Sequence, residues 1–376
     1  MAIKIQQAFK TKEARPMTRA HSTYFRHGNE NDLPRLQARV AQSHDAVSIT
    51  DRAGAIVYVN SAFEALTGYL SDEVVGKTYT LVKSGLHPRP FYANLWSVLQ
   101  EGREFRSVFV NRKKNGDLYH EEKLIRPFVN ARGEATHFVS VGRDVSDTIR
   151  TVKRMKYLAT HDLLTGLPNR ALFEDRLRQE FAHAKRLGNG FALCFLDVDK
   201  LKPVNDLYGH SVGDQLLRVV AGALKASVRD TDTAARLSGD EFGLILAGVS
   251  RLEDAQGVLA KIFASLRHEA AGPGCQHAPS ISVGACLYPQ AGIDERMLLV
   301  CADQAMYRAK AEGGGGYCFF DPQRDGANAT RLGASLAAAE EDMPGLSHLD
   351  TSLFLCSRLA GGDVDLSGID YGMTPP

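Results

Sequence analysis

From about Leu36 onward the chain alternates between strand-length apolar runs and helix-spaced apolar stripes, and these fall into two blocks. In the first block, Asp45 to Asn60 reads as a strand, an Asp-x-x-Gly turn and a second strand. Ser61 to Tyr69 reads as a short capped helix ended by Gly68. Three strand-like segments follow at 105–112, 118–129 and 135–145. Apolar residues at 145, 149, 152, 155 and 159 then recur at helical spacing, a stripe that suits a short parallel coiled coil. In the second block, Phe191 to Leu196 is a continuous apolar run predicted to be a core strand, and Asp197 and Asp199 end it abruptly. Arg236-Leu237-Ser238-Gly239-Asp240-Glu241-Phe242-Gly243-Leu244-Ile245-Leu246 reads as a β-hairpin with acids at its tip. Residues 1–36 are polar and mixed in charge, and are expected to be mostly disordered.

The two acidic elements change the picture from architecture to chemistry. Asp-Glu at a tight turn is electrostatically unfavourable unless a cation sits there. Alone it would read as a solvated acidic turn. Asp197-x-Asp199 places two carboxylates on one face of an extended strand, because side chains alternate with period two. If that strand pairs beside the hairpin, four carboxylates converge on one sheet edge. Such a cluster needs metal ions and suggests phosphoryl or nucleotidyl transfer.

Composition narrows the remaining classes. A chain of 376 residues suggests two ordinary domains with extra sequence. With 45 basic and 44 acidic residues the net charge is +1, so nothing argues for a nucleic-acid or anionic-membrane surface. No segment approaches a membrane span and no signal peptide is evident, so the expected location is cytoplasmic. Six cysteines without C-x-x-C pairing read as reduced core thiols.

Four motifs in order carry a specific resemblance. His161-Asp162-Leu163-Leu164-Thr165-Gly166-Leu167-Pro168-Asn169-Arg170 opens the block. The segment Asp197 to Asp214, the Ser238–Phe242 hairpin, and Ala302-Asp303-Gln304-Ala305-Met306-Tyr307-Arg308-Ala309-Lys310 follow. Together, over about residues 155–322, they resemble GGDEF-domain diguanylate cyclases. The resemblance implies a homodimer in which each protomer holds one GTP. The 3′-hydroxyl of one GTP attacks the α-phosphate of the other, giving cyclic di-GMP and pyrophosphate. It further implies Mg²⁺ or Mn²⁺ held by Asp197, the Val198 carbonyl, Asp240 and Glu241, with Asp240 also the proton acceptor. Asn205 and Asp214 match guanine-reading positions, His210 another substrate contact, and Lys202 and Lys310 triphosphate contacts. Arg229-Asp230-Thr231-Asp232 matches the family's Arg-x-x-Asp inhibitory site for product.

Two positions depart from the pattern. Ser238 stands at the first glycine of the signature, with an expected cost if that position needs φ > 0. Gly314 replaces an arginine expected to clamp phosphate. Losing such a charge-assisted hydrogen bond costs about 1.5–3 kcal/mol, enough to weaken GTP binding without abolishing chemistry.

The first block resembles a PAS sensor domain, through Asp45–Tyr69, Gly76, Ser84-Gly85-Leu86-His87-Pro88, Phe91–Trp96 and the closing Arg143-Asp144-Val145-Ser146. No cysteine precedes Cys194, which excludes a cysteinyl-flavin adduct. The reading favours no tightly bound cofactor there, with flavin (FAD) second on the hint of Trp96, and haem third through His44, His87, His120 or His137. The expected architecture is α+β. It comprises a disordered segment (1–36), a PAS domain of antiparallel sheet with short helices (37–148), and a helical linker (149–160). A GGDEF domain with a nucleotidyl-cyclase or palm-like central sheet wrapped by helices (155–322) and a truncated connector with a poorly ordered tail (323–376) complete it. The rival function is a weakened GGDEF module that binds GTP or cyclic di-GMP and signals through partners. A metal-dependent HD phosphohydrolase built on His161-Asp162 lacks supporting histidine–acid spacing.

Overall fold

The computed structural model describes residues 33–130, 132, 134–270, 279–289 and 294–331. The expectations for residues 1–32 and for the tail from 332, with Cys275 and Cys356, lie outside these. The chain separates into two compact units that divide between Arg154 and Met155.

The first unit begins with α1 (Leu33–Val40), a little before the expected start of order. Its sheet consists of β1 (Ala46–Asp51), β2 (Ile56–Val59), β3 (Phe105–Arg112), β4 (Leu118–Val129) and β5 (Ala135–Asp144) in the order β2-β1-β5-β4-β3. Every pairing is antiparallel. Between β2 and β3 run α2 (Ser61–Thr67), α3 (Ser71–Val74), a 3₁₀ turn and α4 (Arg89–Gln100). Asn60 caps α2 by accepting from Phe63 N, and Gly68 ends it in the left-handed region at φ 76°.

The interior of this sheet is unusually polar. Lys123 and Glu121 on β4 are 4% and 2% exposed, and their Nζ and Oε2 atoms lie 3.1 Å apart. Asn111 Nδ2 and Tyr119 Oη donate to the same Glu121 oxygen at 2.7 and 3.4 Å. Lys123 also lies 4.3 Å from the Tyr79 ring centre. His87 is buried and stacks on Phe91, and its Nε2 accepts from Val110 N at 2.7 Å. Trp96 is 38% exposed and meets Phe138 edge to face.

Helix α5 (Ser146–Thr160) follows β5. The apolar stripe predicted for it divides: Val145 and Ile149 are buried, whereas Val152 and Met155 are 45% and 62% exposed.

The second unit has a five-stranded sheet in the order β10-β9-β6-β8-β7. Its strands are β6 (Phe191–Val198), β7 (Thr233–Ser238), β8 (Glu241–Ala247), β9 (Ile281–Tyr288) and β10 (Tyr317–Phe319). All pairs are antiparallel except β9–β10. Its helices are α6 (Arg170–Leu187), α7 (Leu201–Tyr208), α8 (His210–Ser227), α9 (Leu252–Ala270) and α10 (Glu295–Ala311). Residues 322–331 are also helical.

β6 explains its own sequence. Ala192, Cys194, Leu196 and Val198 join the core shared with α8 and α9, while Phe191, Leu193 and Phe195 join the core shared with α6 and α10. A central strand buried on both faces needs a continuous apolar run, and the acids begin where cover ends. α10 lies tightly against β9 because Gly284 has no side chain; a Cβ there would fall 2.0 Å from Met306 N. Cys194, Cys286 and Cys301 are buried free thiols and Cys318 is half-buried. Burial pushes the Cys194 thiol up to about 12.

Candidate active site

The site forms where β6 ends beside the β7–β8 hairpin. Asp197 pairs with Glu241 across β6–β8, and Val198 N donates to Asp240 O at 3.1 Å. The hairpin turn is the two residues Gly239–Asp240. Asp197 is the last inward residue on the α10 side of its strand, and Lys310 near the end of α10 reaches it with Nζ 2.7 Å from Oδ2. Burial, then the neighbouring Asp240 charge, and lastly that of Glu241 push the Asp197 carboxyl up to about 6, against the pull of Lys310. Glu241 is also raised, first by burial and then by Asp240 and Asp303. Burial and the charge of Asp240 thus make both Asp197 and Glu241 harder to ionise.

Asp199 does not join them as the sequence suggested. The strand ends at Val198, and the Asp199 carboxylate turns to donors on the β9 side. Ser280 Oγ and Gly315 N reach its Oδ2 at 2.5 and 2.9 Å, and Ser282 Oγ reaches Oδ1 at 2.7 Å. Lys200 follows in the left-handed region at φ 57°, an uncommon conformation for a side-chain-bearing residue.

Both departures from the motif pattern have a local explanation. Ser238 belongs to β7, outside the positive-φ region, so the expected backbone cost does not arise. Its Oγ donates to Glu241 Oε2 at 2.6 Å. Gly314 is left-handed at φ 72°, between Gly313 and Gly315, which are also at positive φ. A Cβ on Gly314 would lie 3.2 Å from Asp199 Oδ1. The glycine run is a tight turn folded onto Asp199.

On the other side of the β6 exit, α7 and α8 present Asn205, Lys202, His210 and Asp214. Lys202 and His210 are exposed, and Asp214 is half-buried. Asn205 Oδ1 is buried without a hydrogen-bond partner. It packs where Gly213 leaves room: a Cβ on Gly213 would be 1.9 Å away. A buried acceptor left unsatisfied costs about 1–3 kcal/mol.

Two supports escaped the sequence reading. Arg236 Nη1 donates to both Asp162 oxygens at 3.2 Å, while its Nε and Nη2 grip the Gly239 carbonyl at 3.0 and 2.6 Å. The hairpin tip is thereby tied to the opening motif. A cleft of about 530 Å³ lies beside it, lined by Asp162, Arg170, Glu174, Arg236 and Ser238 among others. Ser280 and Ser282 are the other support, and an arginine just ahead of the acidic signature was the one readable cue.

Arg229 and Asp232 form a turn rather than a side-chain pair. Arg229 N donates to Asp232 Oδ2 at 2.9 Å, and Ala247 N donates to Oδ1 at 3.1 Å. Asp232 borders a second cleft, of about 420 Å³, with Arg176, His183 and Arg186 of α6.

The donor set at the β6 exit is all oxygen, which suits a hard divalent ion. Among the described residues no group of three or more His, Cys, Asp or Glu side chains is arranged to hold a metal ion by itself. Mg²⁺ does not need one, because it keeps several waters and takes one or two carboxylates plus substrate phosphates. The residues therefore fit such an ion. Among the described residues, no helix is long and apolar enough to cross a membrane.

Residues 159–315 match the model of the diguanylate cyclase GGDEF domain, and residues 35–145 match that of the PAS fold. The chain is similar to the probable diguanylate cyclase DgcE of Escherichia coli K12, at 30% identity over 80% of this chain and 28% of that protein. It is also similar to the cyclic di-GMP phosphodiesterase PdeR of the same organism, at 31% identity over 76% of this chain and 43% of that protein. It thus spans less than half the length of either relative. A solved structure comprising only the GGDEF domain of TpbB from Pseudomonas aeruginosa is 35% identical over 46% of this chain and 98% of that one, with a TM-score of 0.41. Residues 159–315 are thus a GGDEF domain, and a PAS domain over residues 35–145 stands ahead of it.

Proposed function

We propose that the protein is a diguanylate cyclase that condenses two GTP molecules into cyclic di-GMP and two pyrophosphates, working as a homodimer. The observation that carries this reading is the meeting of Asp197, Asp240 and Glu241 at one strand exit, with Lys310 beside them. Asp197, the Val198 carbonyl, Asp240 and Glu241 would hold Mg²⁺ or Mn²⁺. When bound, the ion neutralises triphosphate charge and favours loss of the 3′-hydroxyl proton.

The chain's own residues do the rest. Lys310 moves between Asp197 and the triphosphate, and Lys202 adds a second cation for the phosphates. Asn205 and Asp214 read the guanine, Asp214 by accepting from N1–H and N2–H, donors that adenine does not present there. His210 contacts the same nucleotide. Asp240 takes the proton of the attacking hydroxyl. One nucleotide per protomer makes the pairing of two protomers part of the reaction.

The exposed half of the α5 stripe, Val152 and Met155, is where we place the helix pairing through which the PAS domain controls that meeting. The Arg229–Asp232 turn and the cleft beside it are where we place product inhibition. An alternative reading, a GGDEF module that binds GTP or cyclic di-GMP and signals through partners, draws on Gly314, where no arginine can clamp phosphate.

The purified protein, incubated with GTP and Mg²⁺, is expected to yield cyclic di-GMP and to yield none as Asp240→Asn. No product from a wild-type protein that binds GTP would move the conclusion to the binding module.

A further inference from the structure

We propose that the Ser238 hydroxyl is a positioning group that holds the Glu241 carboxylate in place for the divalent ion; this rests on the cyclase reading of the site. Ser238 and Glu241 are directly opposed across the hairpin, and a register shift lies between Arg236 and Ser238. Opposed residues in an antiparallel pair have Cβ atoms about 4.5–5.5 Å apart, within reach of a hydroxyl and a carboxylate. An irregularity of this kind re-aims a side chain. Here the result is a 2.6 Å hydrogen bond from Ser238 Oγ to Glu241 Oε2.

The bond has an electrostatic task. Asp240 and Asp303 both act on Glu241 with like charge, and Asp197 lies across the strand pair. That repulsion disfavours holding the carboxylate in the site when no cation is present. The hydroxyl opposes it by engaging Oε2, and it leaves Oε1 for the ion. The other hydroxyl of β7, Thr233, stands at the far end of the strand and offers no substitute. Ser238 therefore acts through Glu241, and the substitution of the signature glycine adds a contact to the site.

The test compares wild type, Ser238→Ala and Ser238→Thr, each with Mn²⁺ and 3′-deoxy-GTP, which lacks the attacking hydroxyl. Free Mn²⁺ is followed by electron paramagnetic resonance. Loss of a hydrogen-bond partner behind a metal ligand costs about tenfold in metal affinity, so S238A is expected to bind Mn²⁺ about tenfold more weakly, with S238T close to wild type. In turnover, S238A should need correspondingly more Mg²⁺ for half-maximal rate, while KM for GTP at saturating Mg²⁺ stays unchanged. Equal Mn²⁺ affinity in S238A and wild type overturns the proposal. So does an equal loss in S238A and S238T, which would assign the effect to space rather than to the hydroxyl. A wild type that makes no cyclic di-GMP, with the tenfold difference in Mn²⁺ binding intact, removes the cyclase reading alone.

Discussion

Lys310 Nζ lies 2.7 Å from Asp197 Oδ2, so the last turn of α10 supplies the cation for a carboxylate at the end of the central strand. Asp197 is buried and faces two further acids, and Lys310 is the group that keeps it ionised near neutrality. Replacing Lys310 by Met removes a charge-assisted hydrogen bond, worth about 1.5–3 kcal/mol, and so is expected to lower kcat/KM for GTP by roughly ten- to hundredfold. Steady-state kinetics of K310M against wild type measures it, and unchanged kinetics would dissociate Lys310 from the nucleotide.

Restoring the arginine of the family pattern should not improve this protein. Gly314→Arg puts a side chain on a left-handed backbone, which costs about 1–2 kcal/mol, and places its Cβ against Asp199. The expected outcome is a lower unfolding temperature of the second unit by calorimetry, with no decrease in KM for GTP. A stable variant with tighter GTP binding would show that the turn re-forms around the larger residue.

The buried pair in the PAS domain makes a contrasting prediction. Lys123→Met leaves the Glu121 charge without a cation in the interior and should destabilise the domain by about 3–5 kcal/mol, whereas K123M with E121Q, which keeps an acceptor for Asn111 and Tyr119, should recover much of that loss. Calorimetry of the full chain reads both. Equal losses in the single and double variants would contradict the expected coupling.

Histidine 87 sets a pH window for the same domain. Burial lowers its pKa below the ordinary value, and its Nε2 accepts from Val110 N, which requires the neutral ring. Below about pH 6.5 the unfolded chain takes up a proton that the folded domain resists, so stability is complete above that pH and falls as pH drops toward the folded value. His87→Gln should flatten this dependence in thermal unfolding followed from pH 7.5 down to 5.5.

Patterns with one strong period were legible in the sequence. β6 declared itself because both its faces are buried, and the hairpin because two turn residues separate a strand from an apolar run. The PAS strands read to within a residue or so, and β3 alternates in burial along its whole length. What escaped depended on partners distant in the chain. Asp199 looked like a fourth site acid until Ser280, Ser282 and Gly315 were found around it, some eighty residues or more away. Ser238 looked like a defect because sequence gives residue type without φ. The interior Lys123–Glu121 pair was invisible for a simpler reason: charged residues on a strand normally mark its wet face.

The β7–β8 hairpin is fastened at both ends, by Arg236 to Asp162 near the tip and by Asp232 to Ala247 at the base. β8 is also paired with β6 from Ala247 to Glu241, so both fastenings belong to one continuous hydrogen-bonded ladder. β8 has seven residues, which separates the two fastenings by roughly 20 Å. The cleft beside Asp232 lies at one end of this ladder, and Asp240 lies at the other.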